Sequence, residues 1–297
     1  MQEPLSGPGR FYKGNLHTHS TLSDGVCAPV DICTQYREAG YDFLALTDHF
    51  LPRYGFPVAD TRAFRTNRFT TILGAEVHAP ATELGEMWHI LSVGLPLDFA
   101  PTPPEENGPA LAARCVAAGA FVAIAHPAWN GLTVADAESI PAAHAVEVYN
   151  HNCHVEQDRG DGTVMLDTLL SRGHRLWACA TDDAHCKLDD RFGGWVMVRA
   201  ETLEPEALVA ALKAGHYYSS QGPEIHAMQV SRDEVIVECS AAASVMAMGR
   251  GSAGAFVHGS DLRGARLKLD KFHSGGWLRV VVTDAAGRRA WSNPVWL

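Results

Sequence analysis

The chain has 297 residues, 46% hydrophobic and 20% charged, with 24 Lys and Arg against 34 Asp and Glu. The resulting net charge of -10 argues against a nucleic-acid scaffold, since affinity for a phosphate backbone comes from clustered cations, and no apolar run approaches the ~20 residues of a membrane span. Seven cysteines without a C-x-x-C pair argue against a disulfide framework, and the opening MQEPLSGPGR lacks the apolar core of a secretory signal, so a cytoplasmic protein is expected.

In chain order, strands are expected over 11–17, 42–48, 70–77, 88–94, 120–125, 145–149, 175–181, 194–199 and 216–219. Helices are expected over 29–39, 107–118, 134–143, 162–172 and 204–214, four of them stopped by Gly40, Gly119, Gly173 and Gly215. The runs YDFLALT, FVAIA and RLWACA are apolar without alternation, as strands covered on both faces should be. Repeated βα units of this kind predict an α/β fold with a parallel sheet closed into a barrel, and no G-x-G-x-x-G follows the first strand to suggest a dinucleotide fold. After about residue 222 the texture becomes short β segments, among them EVIVECS at 234–240 and SVMAMG at 244–249, separated by turn residues such as HGSD at 258–261, which predicts a small antiparallel β-sandwich. The expected domains are therefore 11–222 and 223–297, with QGP at 221–223 as the boundary.

Polar residues collect at the ends of the predicted strands. His17 and His19 close the first, Asp48 and His49 the second, and Glu76 and His78 the third; His126 follows FVAIA, Glu147 and Asn150 end AVEVYN, and Asp182, Asp183 and His185 end ATDDAH. In a parallel barrel all strand C-termini open on one face, so these residues should converge. His89 begins its strand, and a reversal over 80–87 would return it to Glu76. Mixed imidazole and carboxylate donors suit Zn, Mn or Fe, and a carboxylate bridging two cations about 3.5–4 Å apart is the usual hydrolytic arrangement. Asp48 and Asp182 read as groups that orient imidazoles, whereas His78, Glu147, Asn150, His151 and His154 read as structural. Arg53, Lys187 and Arg191 fall in loops above the same face and could grip a phosphate or carboxylate, and Tyr54, Phe56 and Trp129 could stack on an aromatic leaving group.

The ordered set H-x-H, S-D-G, T-D-H, G-A-E, H-I-L, A-H-P and D-A-H resembles the PHP family, the polymerase and histidinol phosphatase domain, over roughly residues 11–222. The resemblance implies a distorted seven-stranded barrel with a two- or three-metal phosphoesterase centre. Carried over by motif, one metal takes His17, His19, Glu76 and Asp183, a second shares Glu76 and adds His89 and His126, and a third takes Asp24, His49 and His185. The tail segments HYYSSQGPEI and RRAWSNPVWL are similar to the carbaryl-hydrolase-like branch, CehA/McbA, which is associated with carbamate and ester cleavage. The function expected is hydrolysis of a small phosphate ester, such as a nucleotide or sugar phosphate, by metal-bound hydroxide, with carbamate or carboxylic ester cleavage as the alternative. Asp183, His126 and His185 are the catalytic candidates, Asp183 orienting the nucleophile and a histidine or metal-bound water protonating the departing alcohol. The partner expected is a small molecule, with no membrane and no nucleic acid, and a homo-oligomer is left open.

Overall fold

The computed structural model describes residues 1–272 and 276–297. The apolar runs become buried strands that alternate with helices: β1 (Arg10–Asn15), α1 (Pro29–Glu38), β2 (Phe43–Leu46), β3 (His49–Phe50), β4 (Thr70–Ala79), β5 (Trp88–Val93), α2 (Gly108–Ala117), β6 (Phe121–Ile124), α3 (Val134–Glu138), β7 (Ala145–Asn150), α4 (His151–Gln157), α5 (Thr163–Ser171), β8 (Trp177–Thr181), β9 (Trp195–Ala200), α6 (Pro205–Ala214) and β10 (Tyr217–Ser220). Prolines at the first turns of α1, α2 and α6 suit positions whose N–H would go unpaired, and Asn107 caps α2 by accepting from Ala110 N at 3.0 Å. The helix predicted over 134–143 stops at Glu138, because Pro141 disfavours helical backbone at Ile140 before it. No helix among the described residues is long and apolar enough to cross a membrane.

Hydrogen-bonded neighbours run β9, β1, β2, β4, β5, β6, β7, β8. The pairs β1–β2, β2–β4, β6–β7 and β7–β8 are parallel, but β5 is antiparallel to both β4 and β6. The all-parallel expectation fails there for a simple reason: the connection over 80–87 is too short for the crossover of a dozen or more residues that a parallel return requires. Past β8, an isolated parallel bridge between Thr18 and Ala184 brings the chain end of β8 back to that of β1, so the ring closes at its C-terminal mouth.

Lower down, side chains make the closure. Ser219 on β10 donates its hydroxyl to Ala178 O and accepts from Ala180 N, both at 2.9 Å, and Asn293 accepts from Ala178 N at 2.8 Å. Ser219 is fully buried, so Ser219→Ala would leave a backbone donor and a backbone acceptor unpaired out of reach of water. The expected cost is about 1–3 kcal/mol, read as a lower melting temperature at unchanged metal content.

The C-terminal region is sheet-rich: β11 (Ile225–Val230), β12 (Glu234–Gly249), β13 (Gly254–Lys268), β14 (Trp277–Thr283), β15 (Arg289–Ser292) and β16 (Val295–Trp296). Segments that read as separate strands at 234–240 and 244–249 are one strand, β12, whose first half lies between β11 and β13 and whose second half lies between β13 and β14. The apparent turn HGSD at 258–261 is a bulge inside β13, with Asp261 at φ 57°. β15 pairs with β10, which joins these strands to the ring as one continuous sheet. Leu5 is buried among the C-terminal strands and Gln2 bridges to Val230, so the first residues pack with the last quarter of the chain.

Candidate metal centre

Past Asn15 the chain stays buried, and Asp183 N donates to His17 O at 2.9 Å while His19 N donates to Ala184 O at 2.8 Å. This backbone lattice sets His17 and His19 beside Asp183 and His185. Asp48 then accepts from Ser20 N, Ser20 Oγ and Ser23 Oγ at 2.6–2.8 Å, turning the loop so that Asp24 faces back to the mouth. Gly25 is required in that turn, since a Cβ there would lie 2.7 Å from the His19 carbonyl carbon. On β4, Glu76 and His78 share a face, and the cross-strand partner of His78 is His89. His126 follows β6 at φ 23° and Asp183 follows β8 at φ 54°, so two of the candidate ligands occupy backbone that L-residues seldom adopt.

All nine predicted ligands come together. Glu76 Oε1 lies 2.7 Å from His89 Nδ1, 3.1 Å from His126 Nε2 and 3.6 Å from His17 Nε2. Asp183 Oδ1 lies 2.9 Å from His19 Nε2 and 3.3 Å from His17 Nε2. Asp24 Oδ1 lies 3.3 Å from His185 Nε2 and 3.4 Å from His49 Nε2. The residues fit divalent cations on one observation: His17 Nε2, both ring nitrogens of His19, Asp24 Oδ1, Glu76 Oε2 and Asp183 Oδ1 are buried and have no hydrogen-bond partner. Buried polar atoms are nearly always paired, and a knot of orphaned lone pairs facing one another is what a set of ligands looks like. Three- and four-residue groups within reach of one ion include His19, Asp24, His49 and His185, and His17, His126 and Asp183.

Glu147, read from the sequence as structural, holds this arrangement in place. Its Oε1 accepts from His17 Nδ1 at 2.9 Å, which aims the lone pair of Nε2 at Glu76 and Asp183, and its Oε2 accepts from His126 N at 2.6 Å. Asn150 donates to Glu147 Oε2 at 2.9 Å and to Asp183 Oδ2 at 3.1 Å. Asp48 and Asp182 do not orient imidazoles as expected. Asp48 shapes the 20–24 loop, and Asp182 accepts from Tyr36 OH and from the backbone N–H groups of Phe192, Gly193 and Gly194 at 2.6–2.9 Å.

The electrostatics follow from crowding. Burial opposes charge on His185, but Asp24 and Asp183 more than reverse this and lift it to about 9. His19 is pushed down to about 3 by burial and then by the rings of His185 and His49, 4.2 and 4.3 Å away. Burial likewise opposes charge on His17, yet Asp183 and Glu147 raise it well above the ordinary histidine value. A protonated His185 cannot ligate a cation, so binding below about pH 9 must displace its proton. The apparent affinity for Mn²⁺ is therefore expected to rise with pH through about 9, with proton release measured by titration calorimetry in buffers of different ionisation enthalpy. Affinity that is flat from pH 7 to 9 would remove His185 from the ligand set.

A cavity of about 340 Å³ opens over the cluster, walled by Trp129, Asn152, Cys153, Glu156, Lys187 and Leu188. Trp129 stands edge-on to His126, with centroids 4.9 Å apart. Of the loop cations, Lys187 lines the cavity and reaches Asp24 Oδ2 at 3.1 Å. Arg191 does not: its Nη1 donates to Gln35 Oε1 at 2.6 Å, outside the wall. Arg53 stacks over Tyr54 and is also outside it, and Phe56 packs on Phe50 in the core. Sequence reasoning missed α4, which carries Asn152, Cys153 and Glu156 to the wall; HNCHVEQ has no apolar period, and the available signal was Asn150, whose side chain accepts from Cys153 N as a helix cap.

Residues 15–148 match the PHP domain. The PHP segment holds seven of the nine candidate ligands, and β8 beyond it leads to Asp183 and His185. A two-domain protein from Bacteroides vulgatus containing a predicted PHP-like metal-dependent phosphoesterase shares the fold at a TM-score of 0.54 and 14% identity, over 99% of this chain and 98% of that one. The fold likeness thus runs beyond the PHP segment through the C-terminal strands. An amidohydrolase from Chromobacterium violaceum, with sulfate bound and no metal, aligns at 16% identity and a TM-score of 0.45, over 58% of this chain and 87% of that one. No curated protein matches the chain.

Proposed function

We propose that the chain is a metal-dependent hydrolase of small phosphate esters, with its cations held at the mouth of a distorted seven-stranded barrel over 11–222. The observation that carries this reading is the group of buried, unpartnered imidazole and carboxylate atoms around Glu76 and Asp183, opening on a cavity large enough for one small molecule. Structural metal sites close their coordination within the protein, and this one faces a cavity. Divalent cations in such a cluster lower the pKa of water toward ~7 and neutralise charge that develops on phosphoryl oxygens. The protein's share is positioning. His17, His19, His49, His89, His126 and His185 present ring nitrogens, with Asp24, Glu76 and Asp183 supplying the negative charge. Asp183 Oδ1 accepts a hydrogen bond from the attacking water and aims it at phosphorus, opposite the leaving oxygen. Lys187 Nζ donates to a phosphoryl oxygen, and Trp129 and Leu188 cover the leaving group and exclude water.

The test measures metal content together with turnover of p-nitrophenyl phosphate, a panel of nucleoside and sugar monophosphates, and naphthyl N-methylcarbamate. Two or three cations per chain with phosphate turnover that EDTA stops and Mn²⁺ or Zn²⁺ restores is the expected result. A fully loaded protein that turns over only the carbamate, or nothing, would overturn it.

A further inference from the structure

His78 lies inside the cluster, buried and within 3.7 Å of Glu76 Oε2, yet it belongs to none of the three ligand sets expected for the cations. Its hydrogen bonds say what it does. Nδ1 faces the Trp88 carbonyl oxygen at 3.0 Å, and a carbonyl can only accept, so Nδ1 carries the proton. In a neutral ring this leaves Nε2 as an acceptor, and Nε2 lies 2.9 Å from His49 Nδ1. His49 must then donate from Nδ1, which leaves its lone pair on Nε2, facing Asp24 Oδ1 at 3.4 Å. The direction of that N–H matters for a second reason. His49 Nδ1 is only 2.5 Å from Glu76 Oε2, but Glu76 Oε2 has no hydrogen bond, so the N–H points to His78 and the carboxylate oxygen stays free.

We propose that His78 is a positioning residue: through the chain Trp88 C=O, His78, His49 it fixes the His49 tautomer, presents His49 Nε2 to the cation shared with Asp24 and His185, and keeps the His49 N–H off Glu76. This rests on the metal-centre reading above. His78 is grouped with His49, Glu76 and His89 tightly enough to ligate an ion itself, but that would take Nδ1 of His49 as a ligand and withdraw Nε2 from Asp24 and His185, since a neutral imidazole has one lone pair. The satisfied hydrogen bonds of His78, set beside the orphaned atoms of His19 and Asp24, decide for the positioning role.

The experiment measures Mn²⁺ binding by calorimetry and metal analysis for the wild-type chain, His78→Leu, His78→Gln, His49→Ala and the His49→Ala/His78→Leu double variant, with apo-protein thermal unfolding as the control for folding. His78→Leu is expected to weaken most the Mn²⁺ equivalent shared by His49, Asp24 and His185, by about 10–100-fold as outer hydrogen-bond partners of ligands do, with a smaller loss at the equivalents that take Glu76 once the His49 N–H is free to turn to it. His78→Gln, whose side-chain oxygen can accept from His49 Nδ1, should recover most of that affinity. In the His49→Ala background His78→Leu should add nothing, because the residue acts through His49. Unchanged binding in His78→Leu, or a further loss of Mn²⁺ in the double variant, would overturn the proposal; the second result would make His78 a ligand. A wild-type chain that binds no Mn²⁺, Zn²⁺ or Fe²⁺ would instead overturn the metal-centre reading beneath it.

Discussion

Glu76→Gln is expected to lower turnover of phosphate esters by at least about 10³-fold, well beyond the 10–100-fold cost of losing an outer partner of a ligand, because it removes the charge that the whole cluster shares. The Glu76 carboxylate lies within 4 Å of six imidazoles, those of His17, His19, His49, His78, His89 and His126, at distances from 2.5 to 3.8 Å. Glutamine keeps the shape, so the ring should stay folded while metal analysis shows at least two cations weakened together. The same substitution has a signature in the metal-free protein. Burial pushes the Glu76 carboxyl up, but the imidazoles of His89 and His49 overcome this and hold it well below the usual carboxylate value. A depressed folded-state pKa contributes stability above the unfolded value of about 4.3 and loses it as pH falls through the folded value. Thermal melts of the apo protein should therefore show less acid sensitivity in Glu76→Gln than in wild type. Normal metal content in the variant would mean that Glu76 does not bridge.

The sequence revealed the chemistry of the mouth better than its supports. Residues at strand ends must converge if the strands form a ring, so His17, His126 and Asp183 could be placed from apolar runs alone, and an eight-residue reversal was enough to bring His89 back to Glu76. The supporting groups left no such trace. Glu147 and His78 sit on strands like any buried polar residue, and only three-dimensional hydrogen bonding separates Glu147, which orients His17, from Asp182, which pins the 192–194 turn. The loop cations were equally silent: Lys187 and Arg191 are four residues apart, but one faces the cavity and the other turns to Gln35. In the C-terminal region turn-forming residues misled, because a bulge and a turn draw on the same Gly, Ser and Asp, and β13 passes through HGSD without reversing.

Asp183→Asn is expected to lower kcat by about 10²–10⁴-fold, the range for a group that handles the nucleophile's proton, with a smaller change in KM. The substitution is unusually clean at this position. Asp183 has φ 54°, a conformation asparagine tolerates better than other non-glycine residues, so the backbone need not move, whereas Asp183→Ala would add strain of its own. Asn150 Nδ2 donates to Asp183 Oδ2, so the carbonyl oxygen of the new amide should turn toward Asn150 and its NH₂ toward His17 Nε2 and His19 Nε2. Only the His19 ring, held down by burial and its neighbours, is a ready acceptor there, because Asp183 and Glu147 raise His17 well above the ordinary histidine value. Burial opposes charge on Asp183, yet His17, His19 and His185 hold its carboxyl well below the usual carboxylate range. A neutral amide loses that interaction, so the metal-free variant should melt lower than metal-free wild type at neutral pH, with the gap closing as pH falls through the folded value. The stability change is thus expected in the absence of cations and the kcat change in their presence, and only a functional carboxylate shows both. Full activity with normal metal content, beside a lower apo melting temperature, would show that Asp183 serves the fold alone.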